Sequence, residues 1–353
     1  MRKIRVMHVL CMNSYSGAEN VVITLINSLK KRVDSVYVSP DGSIREIVES
    51  YGIRHYAIEK VSVTNIRKAI KDIKPDIIQA HDFTAGIICA VAANGIPVIN
   101  HLHNNSPWIK RYSVKSFLYA LTCFRFKKIL TVSDSVMDEF VFGKWFVKKT
   151  TVIGNPIDLS AILNKAESSE KCDESDIILL GRLVAQKNPL LFIDIVAEIV
   201  KNNPEIRIAI VGDGDLRKDV QDKIMEYGIS QNVKLYGFQA NPYGLLSKSK
   251  VMCMPSAWEG FGLAAVEALA LGKPVVASTV GGLKNIVNNE CGKLCKRKEE
   301  YVRELEELLS DETYYRKKTC AAKKRAYEYD NILNYSEKIE KIYASVANNR
   351  IVE

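Results

Sequence analysis

Short runs of β-branched and other apolar residues alternate with longer stretches of helical periodicity along most of this sequence. In the first half the strand-like runs are residues 4–10, 35–39, 77–80, 97–100 and 129–132. In the second half they are residues 177–180, 206–211, 233–236, 251–254 and 274–277. Helical patterns lie between them, as in residues 18–29 and 66–73. This alternation is typical of βα units, so it predicts an α/β fold with a parallel sheet in each half.

The length of 353 residues favours two domains, because a single hydrophobic core rarely grows so large. A turn-rich stretch at residues 151–158 separates the two sets of βα units, and a polar stretch at 164–176 follows it. We therefore predict a first domain at residues 1–156 and a second at 157–330. From residue 299 onward the sequence is helical and highly charged, with a last helix within residues 331–353.

The positive charge is concentrated in the first half. Residues 1–156 hold 22 lysines and arginines against 12 acidic residues, whereas the remainder holds 28 against 29. Aromatic residues lie among the basic ones, which include Lys110, Arg111, Lys115, Arg125, Lys127 and Lys128. Such a stretch suits an anionic membrane surface or an acidic lipid-linked substrate, and a solvated helix face is the alternative. No nucleic-acid-binding motif accompanies the charge, so we expect no nucleic-acid partner.

Cysteine usage and hydropathy indicate a cytoplasmic protein. Eight cysteines in a chain of this length form no dense disulfide pattern, and Cys291 and Cys295 lack a second pair or nearby histidines to bind zinc. The longest apolar runs are shorter than a membrane span, and the first residues lead directly into a strand. We expect no signal peptide, and peripheral contact with the inner face of the plasma membrane stays open.

The loop after the strand at 251–254 carries the strongest functional signal. Gly260 and Gly262 allow a tight turn, and a helix then runs to Leu271, where Gly272 ends it. Backbone N–H groups of residues 263–265 would lie at a helix N-terminus, which favours a phosphate. Glu259 and Glu267 would place two carboxylates at different depths of one pocket, so the loop predicts a diphosphate site without a Walker lysine.

Two cations follow the strand at 177–180, where we expect them to complement a diphosphate. Gly181 frees the backbone, Arg182 offers a planar bidentate fork, and Lys187 supplies a mobile point charge. Because ligands of doubly wound domains bind beyond the carboxyl ends of the strands, this loop and the glutamate loop should meet. Together they would stabilise a leaving diphosphate.

These residues resemble the signature of the family 4 retaining glycosyltransferases, Glu-x-Phe-Gly-x4-Glu, followed by Gly-x-Pro-Val-Val and a Gly-Gly turn. The matching residues are Glu259, Phe261, Gly262, Glu267, Gly272, Pro274, Val275, Val276, Gly281 and Gly282. Supporting matches extend over nearly the whole chain. The resemblance implies the GT-B fold, in which two Rossmann-like doubly wound domains face a central cleft and a C-terminal helix crosses back to the first domain.

The resemblance also implies roles for individual residues. Arg182 and Lys187 would bind the donor diphosphate, Glu267 the ribose and Glu259 the donor sugar. Backbone groups near Phe238 would meet the base. The N–H groups of residues that begin the helix would contact sugar and phosphate; these are Phe261, Gly262, Leu263 and Ala264. Family members need no metal, so neither a metal nor another cofactor is expected beside the nucleotide-sugar substrate.

The resemblance to the family extends to the first half of the chain, where it involves a glycine-containing loop and a histidine. Gly17 opens a helix after the strand at 4–10, as in the family's Gly-Gly-Ala-Glu loop, although Ser16 replaces the first glycine. His103 resembles the histidine near the donor sugar, but His101 has the same residue type on the same strand face and stays an alternative. His81 would contact the acceptor or pair with a neighbouring carboxylate.

The sequence therefore predicts a retaining hexosyltransferase of surface-polysaccharide synthesis, with a lipid-linked or glycan acceptor. A UDP-sugar is the favoured donor and GDP-mannose the runner-up. A nucleotide-sugar epimerase or hydrolase on the same fold, and a non-catalytic nucleotide-sugar-binding protein, are the alternatives.

Overall fold

The chain divides into two compact units. In the computed structural model, which describes residues 2–169 and 172–348, one unit is Met1–Pro156 with Asn331–Glu353, and the other is Ile157–Asp330. Each unit contains one parallel sheet covered by helices, so the two predicted Rossmann-like sheets are confirmed.

The first unit is built on a seven-stranded sheet with the order β3-β2-β1-β4-β5-β6-β7. Its strands are β1 (Ile4–Val9), β2 (Val33–Pro40), β3 (Arg54–Ile58), β4 (Ile77–His81), β5 (Val98–Leu102), β6 (Lys128–Thr131) and β7 (Thr150–Val152). Its helices include α1 (Gly17–Leu29), α2 (Ile44–Ser50), α3 (Val63–Ile73), α4 (Phe83–Ala92), α5 (Val114–Cys123) and α6 (Ser135–Asp138). Two 3₁₀ segments, Pro107–Lys110 and Gly143–Lys149, flank α5 and α6.

The second unit is built on a six-stranded sheet with the order β10-β9-β8-β11-β12-β13. Its strands are β8 (Ser175–Leu180), β9 (Ile208–Val211), β10 (Val233–Gly237), β11 (Ser249–Met254), β12 (Val275–Ser278) and β13 (Gly292–Cys295). Its helices are α7 (Leu159–Glu167), α8 (Pro189–Asn202), α9 (Arg217–Glu226), α10 (Tyr243–Ser247), α11 (Leu263–Ala270), α12 (Leu283–Ile286), α13 (Lys298–Ser310) and α14 (Glu312–Tyr327).

Strand side chains of the second unit divide between two helical layers. Ile177 on β8 and Val251 on β11 pack with α8, α9 and α13, whereas Ile178 and Met252 pack with α7, α11 and α14. These residues are completely buried because helices cover both faces of a parallel sheet. This is why the strands appear in the sequence as continuous apolar runs.

The strand order creates a switch point in each sheet, where neighbouring strands connect in opposite directions. β1 lies beside β4 in the first unit, and β8 lies beside β11 in the second. Ligands of open α/β sheets bind at the carboxyl ends of such strands. We therefore expect ligand-binding sites at the loops after β1, β4, β8 and β11.

Three strands were not predicted, and all three lie at sheet edges or are very short. β3 carries arginine and histidine, β7 has three residues, and β13 begins with glycine and includes a lysine. An edge strand has a neighbour on one side only, so its sequence is less apolar. The stretch at residues 151–158, interpreted as turn-rich, contributes Thr151 and Val152 to β7, and α7 extends into the stretch interpreted as polar.

The last helix, α15 (Ile332–Asn348), belongs to the first unit. Tyr335, Ile339 and Tyr343 pack into the cluster that contains Val6 and Ile77 of the sheet. The Tyr343 hydroxyl also donates a hydrogen bond to Oε1 of Gln79 on β4, and both groups are buried. A buried polar contact of this kind fixes how the helix sits on the sheet.

Removing the Tyr343 hydroxyl should destabilise the protein. We expect Tyr343→Phe to cost about 1–3 kcal/mol, because the Gln79 oxygen is left buried without its donor. Tyr335→Phe is the matched control, since the Tyr335 hydroxyl is buried and has no hydrogen-bond partner among the described residues. Urea denaturation followed by circular dichroism measures both. Equal stabilities of the two variants would show that the Tyr343 hydrogen bond does not stabilise the fold.

Candidate active site

The glutamate loop, residues 255–262, joins β11 to α11 at the switch point of the second sheet. Its last residue, Gly262, has a φ of 103°, which a residue with a side chain rarely adopts. The N–H groups of Leu263 and Ala264 are in the first turn of α11 and have no partner within the helix. The prediction that Ala265 also offers its N–H was wrong, because that group donates to the Gly262 carbonyl at 3.0 Å.

Glu259 is the one charged residue of this loop, and its side chain is buried. Its Oε1 lies 2.5 Å from the Lys187 Nζ and accepts a hydrogen bond from the Ser256 hydroxyl at 2.9 Å. The Lys187 and Glu259 side chains are 18% and 6% exposed. The structure thus brings these two predicted residues together as an ion pair, and the charge of Lys187 is balanced by protein.

Residues 181–187, which we call the arginine loop, are tied to the glutamate loop by Gln186. The Gln186 carbonyl accepts from the N–H of Ala257 at 2.8 Å, and its side chain donates to the Trp258 carbonyl at 3.2 Å. Arg182 is exposed and makes no ion pair within residues 2–169 and 172–348. Its guanidinium is therefore available to an anion beside these loops.

Glu267 lies one turn into α11 and is held by a residue from α10. The Tyr243 hydroxyl donates to Glu267 Oε1 at 2.9 Å. Burial raises the pKa of Glu267 above its usual value, although the tyrosine and two nearby lysines act in the opposite direction. The carboxylate is thus desolvated, and it gains from a further hydrogen-bond donor such as a ligand hydroxyl.

The Gly-Gly turn, formed by Gly281 and Gly282, packs against the backbone of the glutamate loop. A Cβ atom at Gly281 would lie 1.7 Å from the carbonyl oxygen of Glu259, and Gly281 has a φ of 46°. Only glycine allows this close approach of two backbones. The turn therefore fixes the position of the backbone that carries Glu259.

Three predicted residues of the second unit remain: Gly181 and Phe261, which belong to these two loops, and Phe238, which does not. Gly181 follows β8, and Phe261 is half-buried with its ring edge against Tyr329 at 6.0 Å between centroids. Phe238 follows the edge strand β10 and is 49% exposed. It lies two strands away from β8 in the sheet order.

In the first unit, Gly17 is the first residue of α1, as predicted from the glycine loop. Ser16 precedes the helix, and its hydroxyl donates to the carboxylate of Glu19, which is buried. Glycine at position 16 could not make this contact. The serine thus orders the start of α1.

Four histidines form a buried group, the histidine cluster, at the carboxyl ends of β1, β4 and β5. Its members are His8, His81, His101 and His103. His81 connects two of the others, because its Nε2 lies 3.1 Å from His8 Nδ1 and its Nδ1 lies 3.0 Å from His103 Nε2. The His101 and His103 rings are 4.1 Å apart between centroids. Burial lowers the pKa values of His8 and His103 to about 3, so the cluster is neutral.

The cluster bears on two predictions: the carboxylate partner of His81, and the choice between His101 and His103. His81 is the last residue of β4, and histidines rather than a carboxylate occupy both of its ring nitrogens, so that alternative was wrong. The neighbouring Asp82 instead caps α4 by accepting from the N–H of Ala85. His101 is completely buried, whereas His103 is partly exposed.

Several residues of the site were missed by sequence reasoning. Ser256, Tyr243 and Gln186 act through their contacts with Glu259, Glu267 and the glutamate loop. Tyr243 and Gln186 are distant in sequence from the residues they contact, whereas Ser256 lies three residues before Glu259, and none of the three carries a pattern of its own. His8 could have been found, because parallel pairing aligns the ends of β1, β4 and β5, where the other histidines lie.

A solved structure supports this architecture. HepE of Anabaena, crystallised with UDP and glucose, is similar over 97% of this chain and 100% of its own, with a TM-score of 0.84 and 20% identity. Two family descriptions also match: "Glycosyltransferase Family 4" over residues 15–161 and "Glycosyl transferases group 1" over residues 162–328.

Two curated relatives are similar over most of their length. One is the GalNAc-alpha-(1->4)-GalNAc-alpha-(1->3)-diNAcBac-PP-undecaprenol alpha-1,4-N-acetyl-D-galactosaminyltransferase of Campylobacter jejuni, 28% identical with 94% of this chain and 96% of the relative covered. The other is the UDP-Gal:alpha-D-GlcNAc-diphosphoundecaprenol alpha-1,3-galactosyltransferase of Escherichia coli, 29% identical with 82% of each chain covered.

Two Rossmann-like units of this topology, together with the two family matches, define a glycosyltransferase of the GT-B class. The chain belongs to glycosyltransferase family 4, which the sequence signature had indicated.

The ion pair between Lys187 and Glu259 should stabilise the loops. We expect Lys187→Met to lower the free energy of unfolding by about 1–3 kcal/mol, because Glu259 is left buried with one hydrogen bond. Adding Glu259→Gln should restore part of that loss, since the neutral amide still accepts from Ser256. A double-mutant cycle by urea denaturation measures the coupling.

The exposed pair Lys201 and Glu198 on α8 is the matched control, and its cycle should show no measurable coupling. Equal coupling in both pairs would mean that burial adds nothing to the Lys187 contact.

Proposed function

We propose that this glycosyltransferase transfers a hexose with retention of configuration from a UDP-sugar to a lipid-linked or polysaccharide acceptor. The observation that carries the proposal is the juxtaposition of the Lys187–Glu259 ion pair with the N-terminus of α11. GDP-mannose is the runner-up donor. The proposed reaction requires no metal ion and takes place at the cytoplasmic face of the membrane.

The diphosphate of the donor is proposed to lie at the start of α11. The free N–H groups of Leu263 and Ala264 and the positive end of the helix dipole favour an anion there. Arg182 adds a bidentate fork, and Lys187 adds a charge that Glu259 holds in place. These groups would stabilise the negative charge that develops on the leaving diphosphate, the role that a metal ion has in other transferases.

Carboxylates and one histidine are proposed to orient the sugar and the ribose. Glu259 accepts hydrogen bonds from the sugar, Glu267 accepts them from the ribose, and the backbone near Phe238 meets the base. His103 is the histidine proposed at the donor sugar in preference to His101, because His103 is partly exposed and its Nδ1 has no partner among the described residues. Such contacts contribute by fixing the reacting atoms in position.

The proposed mechanism uses departure and attack on the same face of the sugar. The bond between the anomeric carbon and the diphosphate oxygen breaks, and the acceptor oxygen bonds to that carbon from the same side. The acceptor's proton passes to the leaving phosphate. No carboxylate is assigned as a covalent nucleophile, so orientation and electrostatics account for the rate.

The acceptor class rests on the relatives and on the surface of the first unit. The Campylobacter jejuni and Escherichia coli relatives are named for undecaprenol-linked acceptors. A capsular polysaccharide biosynthesis glycosyltransferase of Staphylococcus aureus is also similar, at 29% identity over 75% of this chain. We extend a lipid-linked or glycan acceptor to this chain on that basis.

A donor panel tests the proposal. Purified protein is incubated with UDP-, GDP- and ADP-sugars in the presence of EDTA, and release of nucleoside diphosphate is measured. We expect one UDP-sugar to be turned over, and Arg182→Ala and Glu259→Ala to lower the rate by about 100-fold or more, as losses of transition-state contacts do. Arg217→Ala, an exposed arginine paired with Asp213, is the control and should keep full activity.

The alternatives predict other outcomes. An epimerase or hydrolase would convert the donor at a rate that an undecaprenol-linked acceptor does not raise. A non-catalytic binding protein would bind a nucleotide-sugar without turning it over under any condition. Activity that EDTA abolishes would contradict the metal-independent mechanism.

We also propose that α5 and its neighbours place the first unit on a membrane. The face comprises the half-buried Phe142 and seven exposed apolar residues: Tyr112, Phe117, Leu118, Leu121, Phe124, Trp145 and Val147. Phe142 lies against Tyr112, Phe117 and Trp145 with ring centroids 5.0–6.2 Å apart. Trp145 is 62% exposed and Tyr112 79%, which is uncommon for side chains of this size.

The positive charges around this face favour an anionic bilayer as its binding partner. Lys115, Arg125, Lys144 and Lys148 are exposed at its border. The opposite side of α5, with Tyr119 and Cys123, is buried in the unit, so the helix is apolar on two faces. An interfacial helix of this kind inserts its outer apolar face among the headgroups while lysines and arginines meet anionic lipids. Within residues 2–169 and 172–348, none of the helices combines the length and apolar character that spanning a bilayer requires.

Vesicle sedimentation tests this surface. We expect binding to vesicles containing phosphatidylglycerol and little binding to pure phosphatidylcholine. Leu118→Glu should lower the binding by about 10-fold, because it removes apolar transfer energy and adds a like charge. Met225→Glu replaces an exposed apolar residue of α9 and should leave binding unchanged. Equal effects of the two substitutions, or binding independent of lipid charge, would contradict the proposal.

A further inference from the structure

The histidine cluster contains more nitrogen donors than a single sugar contact requires. Its members come from three neighbouring strands, and three of the four are buried. Three ring nitrogens, Nε2 of His8, Nε2 of His101 and Nδ1 of His103, are buried without a hydrogen-bond partner among the described residues. One of the three, Nε2 of His101, would face the ligand atoms of the other histidines in a metal site, and the ion would supply the partner that this buried nitrogen lacks.

Three of these histidines converge on one point. One ring nitrogen from each of His81, His101 and His103 lies within 4.8 Å of the corresponding nitrogens of the other two. The closest pair, His81 Nδ1 and His103 Nε2, is 3.0 Å apart. Tetrahedral zinc holds nitrogen ligands about 2.1 Å away and therefore about 3.4 Å from one another. The three nitrogens, which lie within 4.8 Å of one another, would adjust to that spacing when an ion binds.

The backbone makes this convergence a property of the fold. His81 and His101 are partners in the register of β4 and β5. His103 is two residues beyond His101, so both side chains lie on the same face of the chain. The three ligands are therefore held by adjacent strand ends rather than by a flexible loop.

The residues behind the ligands can orient them for a metal. If His81 binds through Nδ1, its Nε2 carries the ring proton and lies 3.1 Å from His8 Nδ1, which accepts it. If His101 binds through Nε2, its Nδ1 carries the ring proton and faces Nε2 of Gln79 at 3.1 Å, so the Gln79 amide must turn over to accept that proton with Oε1 and to donate through Nε2 to the Tyr343 hydroxyl. Metal-bound histidines usually donate their other N–H in this way. Each ring keeps one proton, so the ion is bound by three neutral imidazoles.

The ligand chemistry selects the class of ion. Three imidazoles without a carboxylate suit Zn²⁺, Co²⁺, Ni²⁺ or Cu²⁺, whereas Mg²⁺, Mn²⁺ and Ca²⁺ prefer oxygen. Water would be the fourth ligand of a tetrahedral ion.

We propose that His81, His101 and His103 form a binding site for a nitrogen-preferring transition ion, with His8 and Gln79 orienting the ligands. The ion is not required for sugar transfer. Its binding engages Nε2 of His103 and holds the ring in one orientation. Because His103 is the residue proposed at the donor sugar, occupancy of the site inhibits the transferase; this last step rests on the proposed function.

Cobalt absorption tests the site without measuring activity. Untagged, chelator-treated protein is titrated with Co²⁺, and we expect one equivalent to bind with the intense visible bands of a four-coordinate ion. His103→Ala and His101→Gln should weaken the binding by at least about 10-fold, and His8→Ala should do so while leaving all three ligands. His55→Ala removes the one histidine outside the cluster and is the matched control; it should bind as the wild type does.

His103→Ala removes a partly exposed side chain, and thermal unfolding of each variant checks that the fold is retained. Absence of one-equivalent binding by the wild type overturns the proposal. Binding that persists in His103→Ala, or that shows thiolate-to-cobalt charge transfer, overturns it as well, because the ion then binds elsewhere. If Co²⁺ binds as expected but Zn²⁺ does not inhibit donor turnover, the inhibitory role is wrong and the metal site stands.

Discussion

Parallel strands align their carboxyl ends, and this constraint determines where chemistry can occur in the molecule. In the second unit it places the arginine loop after β8 beside the glutamate loop after β11, although 72 residues separate Lys187 from Glu259. In the first unit the same constraint places histidines from β1, β4 and β5 at one edge of the sheet. Within each unit, loops and strand ends that are far apart in sequence therefore lie together at one edge of the sheet.

Charge is distributed differently at the two sheet edges. The second unit holds a buried ion pair, a desolvated glutamate, an exposed arginine and a helix N-terminus, so it combines fixed positive potential with carboxylates that can accept hydroxyl groups. The first unit holds neutral imidazoles, since burial lowers their pKa values. The first arrangement suits the binding of a phosphorylated sugar, and the second suits neutral hydroxyls or a metal ion.

The sequence predicted the parts of the fold that are buried on both sides. Nine of the ten strand-like runs correspond to interior strands of the two sheets, where helices cover both faces and enforce continuous apolar residues, and the tenth corresponds to the edge strand β10. The edge strands β3 and β13 were missed since solvent on one side permits Arg54 and Lys293. A site residue could be predicted where it has a fixed position in the sequence relative to a glycine turn, as Glu259 does. The contact of Tyr243 with Glu267 is a tertiary contact that no local pattern encodes, whereas Ser256 lies three residues before Glu259 and His8 lies on a strand that pairs with the strand of His81.

The central claim is that the start of α11 and Arg182 bind a diphosphate. Calorimetric titration of the protein with UDP, UMP and uridine measures this most directly. We expect the affinity to fall steeply from UDP to UMP to uridine, and Arg182→Ala to remove most of the difference between UDP and UMP. Equal affinities for the three ligands, or a UDP affinity unchanged by Arg182→Ala, would contradict it.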